Sequence, residues 1–230
     1  MSLKISLIIP IYNEEANILQ LYNEIKSSES YTMLNKIIFI DDCSTDDSQN
    51  VIKKILKIDN KIHLISQKNN YGQSYSILSG CKSTDDNIIA TIDGDCQNDP
   101  DDLSKLINTY KLSEAKLVSG IRLNRKDSIL KKFSSYIANQ IRKKILDDDC
   151  VDTGCSLKVF DKKIFLNFPY FNGIHRFLPA LFKGYGYKCE FISVNHRFRL
   201  HGYSKYGTVK RLILGIRDTM MVKKIIKKKE

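Results

Sequence analysis

Long apolar runs are what this 230-residue chain lacks. Polar or charged residues interrupt every hydrophobic stretch before it reaches the roughly 18 residues of a membrane-spanning helix, so any attachment to a bilayer is expected to be peripheral. The opening Met1-Ser2-Leu3-Lys4 runs straight into a strand-like segment. That leaves no space for a charged region, an apolar core and a cleavage site, and no secretory leader is expected. The six cysteines, Cys43, Cys81, Cys96, Cys150, Cys155 and Cys189, include no Cys-x-x-Cys pair and no metal-finger spacing. The expectation is reduced thiols in an intracellular setting, acting as small apolar residues. Internal repeats and Pro/Gly/Ser-rich linkers are also missing, which gives no ground for a sharp domain boundary. Length and composition fit one globular domain with an appendage.

Positive charge is present in excess, with a formal net charge of +11. From Tyr203 onward, Lys205, Lys210, Arg211, Arg217, Lys223, Lys224, Lys227, Lys228 and Lys229 face only Asp218 and Glu230, so seven of those net charges lie in the tail. Nucleic acid or an anionic bilayer would both be attracted, and a solvated helix end would read the same way. Val209, Leu212, Ile213, Ile216 and Met220 recur at helical spacing, with Lys210, Arg211 and Arg217 off that stripe. Such a pattern fits an interfacial helix, or a helix packed on its own domain or in a dimer.

Earlier in the chain, β-branched runs at Ile5 to Ile11, Lys36 to Ile40, Lys61 to Ser66, Ile88 to Ile92 and Leu117 to Gly120 read as strands. Helical patterns lie between them: from an Asn13 cap to Ile25, from Ser44 or Asp46 to Ile58, Tyr71 to Ser83, and Asp99 to Glu114. This alternation predicts an α/β fold with a mostly parallel sheet and helices on both faces. After Gly120, Ser128 to Leu146 reads as a long basic helix, Thr153 to Phe160 as a strand, Arg176 to Lys183 as a helix and Lys188 to Val194 as a strand. Ligands of open sheets bind beyond the carboxyl ends of the strands. Pro10-Ile11-Tyr12-Asn13-Glu14, Asp41-Asp42-Cys43-Ser44 and Asp93-Gly94-Asp95 all fall there, so three polar clusters should converge on one crevice.

Asp93, Asp95 and Gln97 follow a buried strand at alternate positions, and an extended backbone would point all three to one side. Two carboxylates and an amide are hard oxygen donors, suited to Mg or Mn completed by water and substrate phosphate. The bland alternative is an acidic loop leading into the helix that begins near Asp99-Pro100-Asp101-Asp102.

Five ordered motifs carry a resemblance: Pro10-Ile11-Tyr12-Asn13-Glu14-Glu15, Asp41-Asp42-Cys43-Ser44-Thr45-Asp46, Asp93-Gly94-Asp95-Cys96-Gln97, Asp152-Thr153-Gly154-Cys155 and Arg199-Leu200-His201-Gly202-Tyr203-Ser204-Lys205-Tyr206. Over nearly its whole length the chain resembles the polyprenyl-phosphate glycosyltransferases of glycosyltransferase family 2, relatives of dolichol-phosphate mannose synthase. The resemblance implies a single GT-A domain over 1–204, with a nucleotide-sugar half at 1–120 and an acceptor half at 121–204, followed by a basic amphipathic helix and tail at 205–230. It implies that Pro10, Tyr12, Glu14 and Asp41 hold the nucleoside with support from Asp42. Asp93 and Asp95 would serve metal and diphosphate, with Gln97 as the further metal ligand. Arg122 and Arg199 would grip the acceptor phosphate, and Ser204 and Lys205 the donor diphosphate. Catalysis then rests on Asp95, Arg122, Arg199 and Lys205. The forked guanidinium suits phosphate oxygens, and a cation with a basic side chain offsets the charge of a departing diphosphate.

A phosphate monoester is already largely deprotonated at neutral pH, so such an acceptor needs no general base. Accordingly, Phe171-Asn172-Gly173-Ile174-His175-Arg176 carries no acid where a base would stand. His175 reads as a packed or hydrogen-bonded residue, and His196 and His201 as residues that shape a loop. The implied reaction is inverting transfer from a nucleotide-diphosphate sugar to a polyprenyl phosphate, at the cytoplasmic face of a membrane, without nucleic acid and with homo-oligomerisation possible. Alternatives are transfer to a sugar hydroxyl in glycan synthesis and, from another class, a basic nucleic-acid-binding protein, against which stands the lack of an RNA-recognition signature. The chain departs from the family pattern at Cys43 and Asp47, where glycine is frequent, at Gly94, where alanine is frequent, and in its basic tail, where many relatives carry two membrane helices.

Overall fold

The computed structural model describes residues 3–122, 142–198 and 208–228, the last with side chains from residue 215. The order is β1 (Ile5–Ile11), α1 (Glu15–Ser27), α2 (Ser30–Met33), β2 (Lys36–Asp41), α3 (Ser48–Leu56), β3 (Ile62–Ser66), α4 (Gln73–Lys82), β4 (Ile88–Thr91), α5 (Asp101–Leu112) and β5 (Leu117–Arg122). Then come β6 (Lys158–Asp161), α6 (Lys162–Leu166), a 3₁₀ turn (Ile174–Arg176), α7 (Leu178–Gly184), β7 (Cys189–Val194) and α8 (Thr208–Lys227). The strands form a seven-stranded sheet ordered β3-β2-β1-β4-β6-β5-β7.

Strand β1 shows why this sheet must be covered on both sides. Ile5, Leu7, Ile9 and Ile11 alternate toward the layer containing Ile18 and Leu21 of α1, Ile52 of α3 and Leu103 of α5. Ile8 points the other way, toward Ile77 of α4, Phe165 of α6, Phe182 of α7 and Val222 of α8. Each buried isoleucine or leucine removed from water contributes about 2 kcal/mol, so a layer of helices is favoured on each face of the strand. A Cβ on Gly80 of α4 would lie 2.8 Å from Ile8, which explains a small residue where the helix presses closest.

The expected α/β order is present, with one refinement. The predicted strand at Thr153 to Phe160 is shorter, Lys158–Asp161, and runs antiparallel between β4 and β5. Asp161 then turns the chain into α6, its side chain accepting the Ile164 amide at 3.0 Å. Of the predicted basic helix, 142–146 is helical and 128–141 lies outside the described residues. Helix α8 packs on its own domain: Val222 is fully buried, and Gly184 of α7 admits Ile226 so closely that a Cβ would lie 2.6 Å from it. Among the described residues no helix is long and apolar enough to cross a membrane.

Candidate active site

Two loops beyond β1 and β2 are tied together by short polar side chains. The Asn13 amide donates to Ser44 Oγ at 2.9 Å, Asn13 Oδ1 accepts the Thr45 amide at 2.7 Å, and the Glu14 amide donates to Ser48 Oγ at 3.0 Å. Asn13 has φ 52, a left-handed conformation that asparagine tolerates better than most residues, so it is a loop residue and Glu14 takes the helix-cap position. Cys43 also has a positive φ, 63, at the place where glycine is frequent, whereas Asp47 has φ −80 and needs no glycine.

Asp41 is fully buried, and its carboxylate accepts Gln49 Nε2 at 2.7 Å and the Ser44 amide at 3.3 Å. Asp42 accepts the amides of Tyr71 and Gly72 at 2.8 and 2.7 Å, which fastens the loop between β3 and α4. Its carboxylate therefore secures that loop. Pro10 lines a crevice shared with Asp93, Ser156, Lys158 and His175. Tyr12 and Glu14 stand half-buried beside the β1 end, where Glu14 Oε2 accepts Asn17 Nδ2 at 2.6 Å.

The acidic segment is not the extended strand that alternation predicted. β4 stops at Thr91, Gly94 and Asp95 form a turn, and Cys96 takes φ 58. Asp95 Oδ1 accepts the Gln97 amide at 3.2 Å, so the turn, rather than the pleat, gathers the carboxylates. Gly94 sits where a Cβ would meet Ile11 Cδ1 at 2.5 Å, accounting for its replacement of alanine. Gln73 Nε2 donates to Asp93 Oδ1 at 2.7 Å. Burial first, and then the neighbouring Asp95 charge, raise the Asp93 carboxyl well above the usual range, against the pull of Ser156, Lys158 and Arg122.

Two carboxylates that repel each other, with an amide side chain following in the same turn, fit a divalent cation, which would relieve the repulsion and leave positions for phosphate oxygens. Asp93, Asp95 and Gln97 are the residues that would hold Mg or Mn. Gln97 spends its amide nitrogen on the Arg197 carbonyl at 3.3 Å, making its oxygen the end available to a cation.

Arg122, at the end of β5, is engaged with a carboxylate of its own domain. Its Nε and Nη2 donate to the two oxygens of Asp152 at 2.7 Å each, and its amide adds a third bond at 3.2 Å. Gly154 lies against the guanidinium, 2.8 Å from Nη2 to an added Cβ, so the Asp152-Thr153-Gly154 motif forms a cradle for this arginine. Arg199, Ser204 and Lys205 lie outside the described residues, as does His201. His175 Nδ1 is 2.7 Å from Ser74 Oγ. Burial, with the Lys158 and Arg176 charges, pushes its imidazole down to about 3, so it is a neutral packed residue. His196 pairs with Asn98 in an isolated antiparallel bridge, in keeping with a loop-shaping role. The sequence reading missed Gln73, Ser156 and Lys158. Asp152 was visible in its motif, but its attachment to Arg122 spans thirty residues and leaves no local signal.

The glycosyl transferase family 2 model matches residues 6–168. The chain belongs to glycosyltransferase family 2. This transferase is 33% identical over 226 residues to the dodecaprenyl-phosphate galacturonate synthase of Rhizobium johnstonii, covering 95% of this chain and 67% of that protein. It is 31% identical over 213 residues to the undecaprenyl-phosphate 4-deoxy-4-formamido-L-arabinose transferase of Proteus mirabilis, covering 92% and 65%. The chain thus spans about two thirds of the length of these curated relatives. In fold it is similar to glucosyl-3-phosphoglycerate synthase from Mycobacterium tuberculosis, with a TM-score of 0.71 at 15% identity over 95% of this chain and 78% of that one. That enzyme was crystallised with Mn2+, UDP and glucosyl-3-phosphoglycerate, and also with Mg2+ and UDP. The transferase accordingly has the GT-A fold expected from its motifs.

Proposed function

We infer that this transferase moves a sugar from a nucleotide-diphosphate sugar to a polyprenyl phosphate, with inversion at the anomeric carbon. The observation that carries this reading is the repelling pair Asp93 and Asp95 at the carboxyl end of β4, in a chain whose relatives are named for sugar transfer to dodecaprenyl or undecaprenyl phosphate. When bound there, Mg or Mn supplies the positive charge that a departing nucleoside diphosphate requires.

The protein's own residues do the rest. Pro10, Tyr12, Glu14 and Asp41 frame the nucleoside, and Asp42 holds the Tyr71–Gly72 backbone against that pocket. An acceptor phosphate oxygen forms the bond to the anomeric carbon as the bond to the nucleoside diphosphate breaks. The nucleophile is already ionised, so no side chain need take a proton. The neutral, half-buried His175 accords with this. Arg122, Arg199, Ser204 and Lys205 are assigned to the two phosphate groups on their motif positions, and Arg122 would act from within its Asp152 cradle.

The acceptor is a lipid, so the transferase works at a membrane surface, on the cytoplasmic side where nucleotide sugars are made. Ile216 and Met220 of α8 are 49% and 47% exposed, on the side away from Val222, with Arg217 next to Ile216 in sequence and Lys223 three residues after Met220. This outward apolar stripe edged by basic residues suits an anionic bilayer. Melting curves with UDP-, GDP- and dTDP-sugars, with and without Mn2+, test the donor. Chromatography of the lipid product tests the acceptor: an acid-labile lipid-phosphate sugar is expected, and a stable glycoside would refute the assignment.

A further inference from the structure

Cys96 holds a left-handed φ of 58 in the middle of the acidic turn, a conformation that a non-glycine residue keeps only when its surroundings impose it. The segment after β7 is bonded to the residues that follow Cys96. Asn98 and His196 form an antiparallel bridge, the Arg197 amide donates to the Gln97 carbonyl at 2.8 Å, and Gln97 Nε2 returns a bond to the Arg197 carbonyl at 3.3 Å. One residue earlier, the Asn195 amide donates to Asp102 Oδ2 at 2.6 Å, fixing the strap to α5.

The side chain of Arg197 closes this arrangement. Nη1 lies 2.6 Å from Glu24 Oε2 on α1 and Nη2 lies 2.8 Å from Asp99 Oδ1, so one guanidinium spans the helix before the sheet and the limb leaving the turn. Partly exposed ion pairs add little to global stability, so the effect of this fork is to hold a geometry. The strap so held takes up the Gln97 amide nitrogen through the Arg197 carbonyl.

We propose that Arg197 is a positioning residue for the divalent-cation site: it clamps the strap at 195–198 onto the acidic turn and thereby presents the Gln97 oxygen beside Asp93 and Asp95. This rests on the metal-dependent reading above, and it adds a residue that touches neither cation nor substrate. Groups that orient metal ligands typically alter affinity about tenfold or more when removed, and that is the size of effect expected here.

The test measures Mn2+ binding to the full chain by electron paramagnetic resonance, in the presence of whichever of UDP, GDP or dTDP raises its melting temperature. Arg197→Met is expected to raise the Mn2+ Kd about tenfold, with partial recovery in Arg197→Lys. In a Gln97→Ala background the same substitution should have no further effect, because the orienting group has lost its target; a merely structural role would weaken both backgrounds alike. Lys183→Ala, which breaks a surface pair with Asp149, should leave Mn2+ binding unchanged. Should Arg197→Met fail to fold, Glu24→Gln removes half of the fork and should shift Kd in the same direction. Wild-type Mn2+ affinity in the Arg197 and Glu24 variants, or an equal loss in both Gln97 backgrounds, overturns the proposal alone. A wild-type chain that binds no Mn2+ with any of the three nucleotides overturns the metal-dependent reading together with it.

Discussion

In the first half of the molecule the loops beyond β1 and β2 are held by hydroxyls, carboxamides and backbone amides, as between Asn13 and Thr45 or Asp42 and Tyr71. Beyond residue 120 that role passes to arginine–carboxylate pairs: Arg122 with Asp152, Arg142 with Asp148 and Arg176 with Asp218. Neutral donors fix a carboxylate without cancelling its charge, whereas a guanidinium cancels it. On the proposed reading, the donor half thereby keeps its negative charge for a cation. In the proposed acceptor half an incoming phosphate would have to share Arg122 with Asp152.

The comparison breaks most visibly at the acidic turn. Asp95→Ala, assayed for transfer with saturating Mn2+ or Mg2+, is expected to lower kcat about 100- to 1000-fold, the scale of losing one preorganised electrostatic contact in a transition state. Undiminished activity would show that the donor half's charge is not used for catalysis. Next in size is Arg122→Met, which strands a buried Asp152 and should cost about 3 kcal/mol in urea unfolding. Adding Asp152→Asn should recover part of that loss, and strict additivity of the two would show the pair to be uncoupled.

His175 tests the seam between the halves, since it reaches from the acceptor side to Ser74 of α4. Its imidazole is lowered from 6.5 to about 3 on folding, so between those values the unfolded chain holds the extra proton. Its stabilising contribution is complete above pH about 6.5 and fades as pH falls toward about 3, with a slope of at most about 1.4 kcal/mol per pH unit. His175→Gln should flatten that part of the pH–stability curve. The smallest effect concerns the donor loops: Cys43→Gly, which relieves a positive φ, should stabilise by about 0.5 kcal/mol, while Asp47→Gly at φ −80 should destabilise by a similar amount. Equal effects at the two positions would remove backbone strain as the explanation.

The same division governs what could be read from sequence. The donor half was legible because β-branched runs alternate with amphipathic segments, and because Asp41, Asp42, Asp93 and Asp95 stand at strand ends, where topology alone makes a crevice. Inside that crevice the turn at Gly94–Cys96 was misjudged as extended, since no local signal marks the φ of 58 at Cys96, and the residue after it is bonded to a strap a hundred residues away. The acceptor half was less legible. Lys158–Asp161 is a short strand whose direction is set by its partners, and Arg122 finds Asp152 only after the chain has folded back. The tail read correctly as a helix, but it packs on α7 through Val222 and Ile226, which lie outside the stripe that its spacing marked, while Ile216 and Met220 of that stripe are exposed.

Strand β6 carries a consequence for biosynthesis. It fills the gap between β4 and β5, pairing Thr91 with Lys158 and Ser119 with the same lysine. A nascent chain that has emerged only as far as Arg122 has no neighbour for the Ile88–Thr91 edge, and such an edge invites intermolecular pairing. The ribosome must deliver some forty more residues before that gap can close. Splitting the gene between the two halves should therefore yield an insoluble first fragment, rescued only when the second is made beside it.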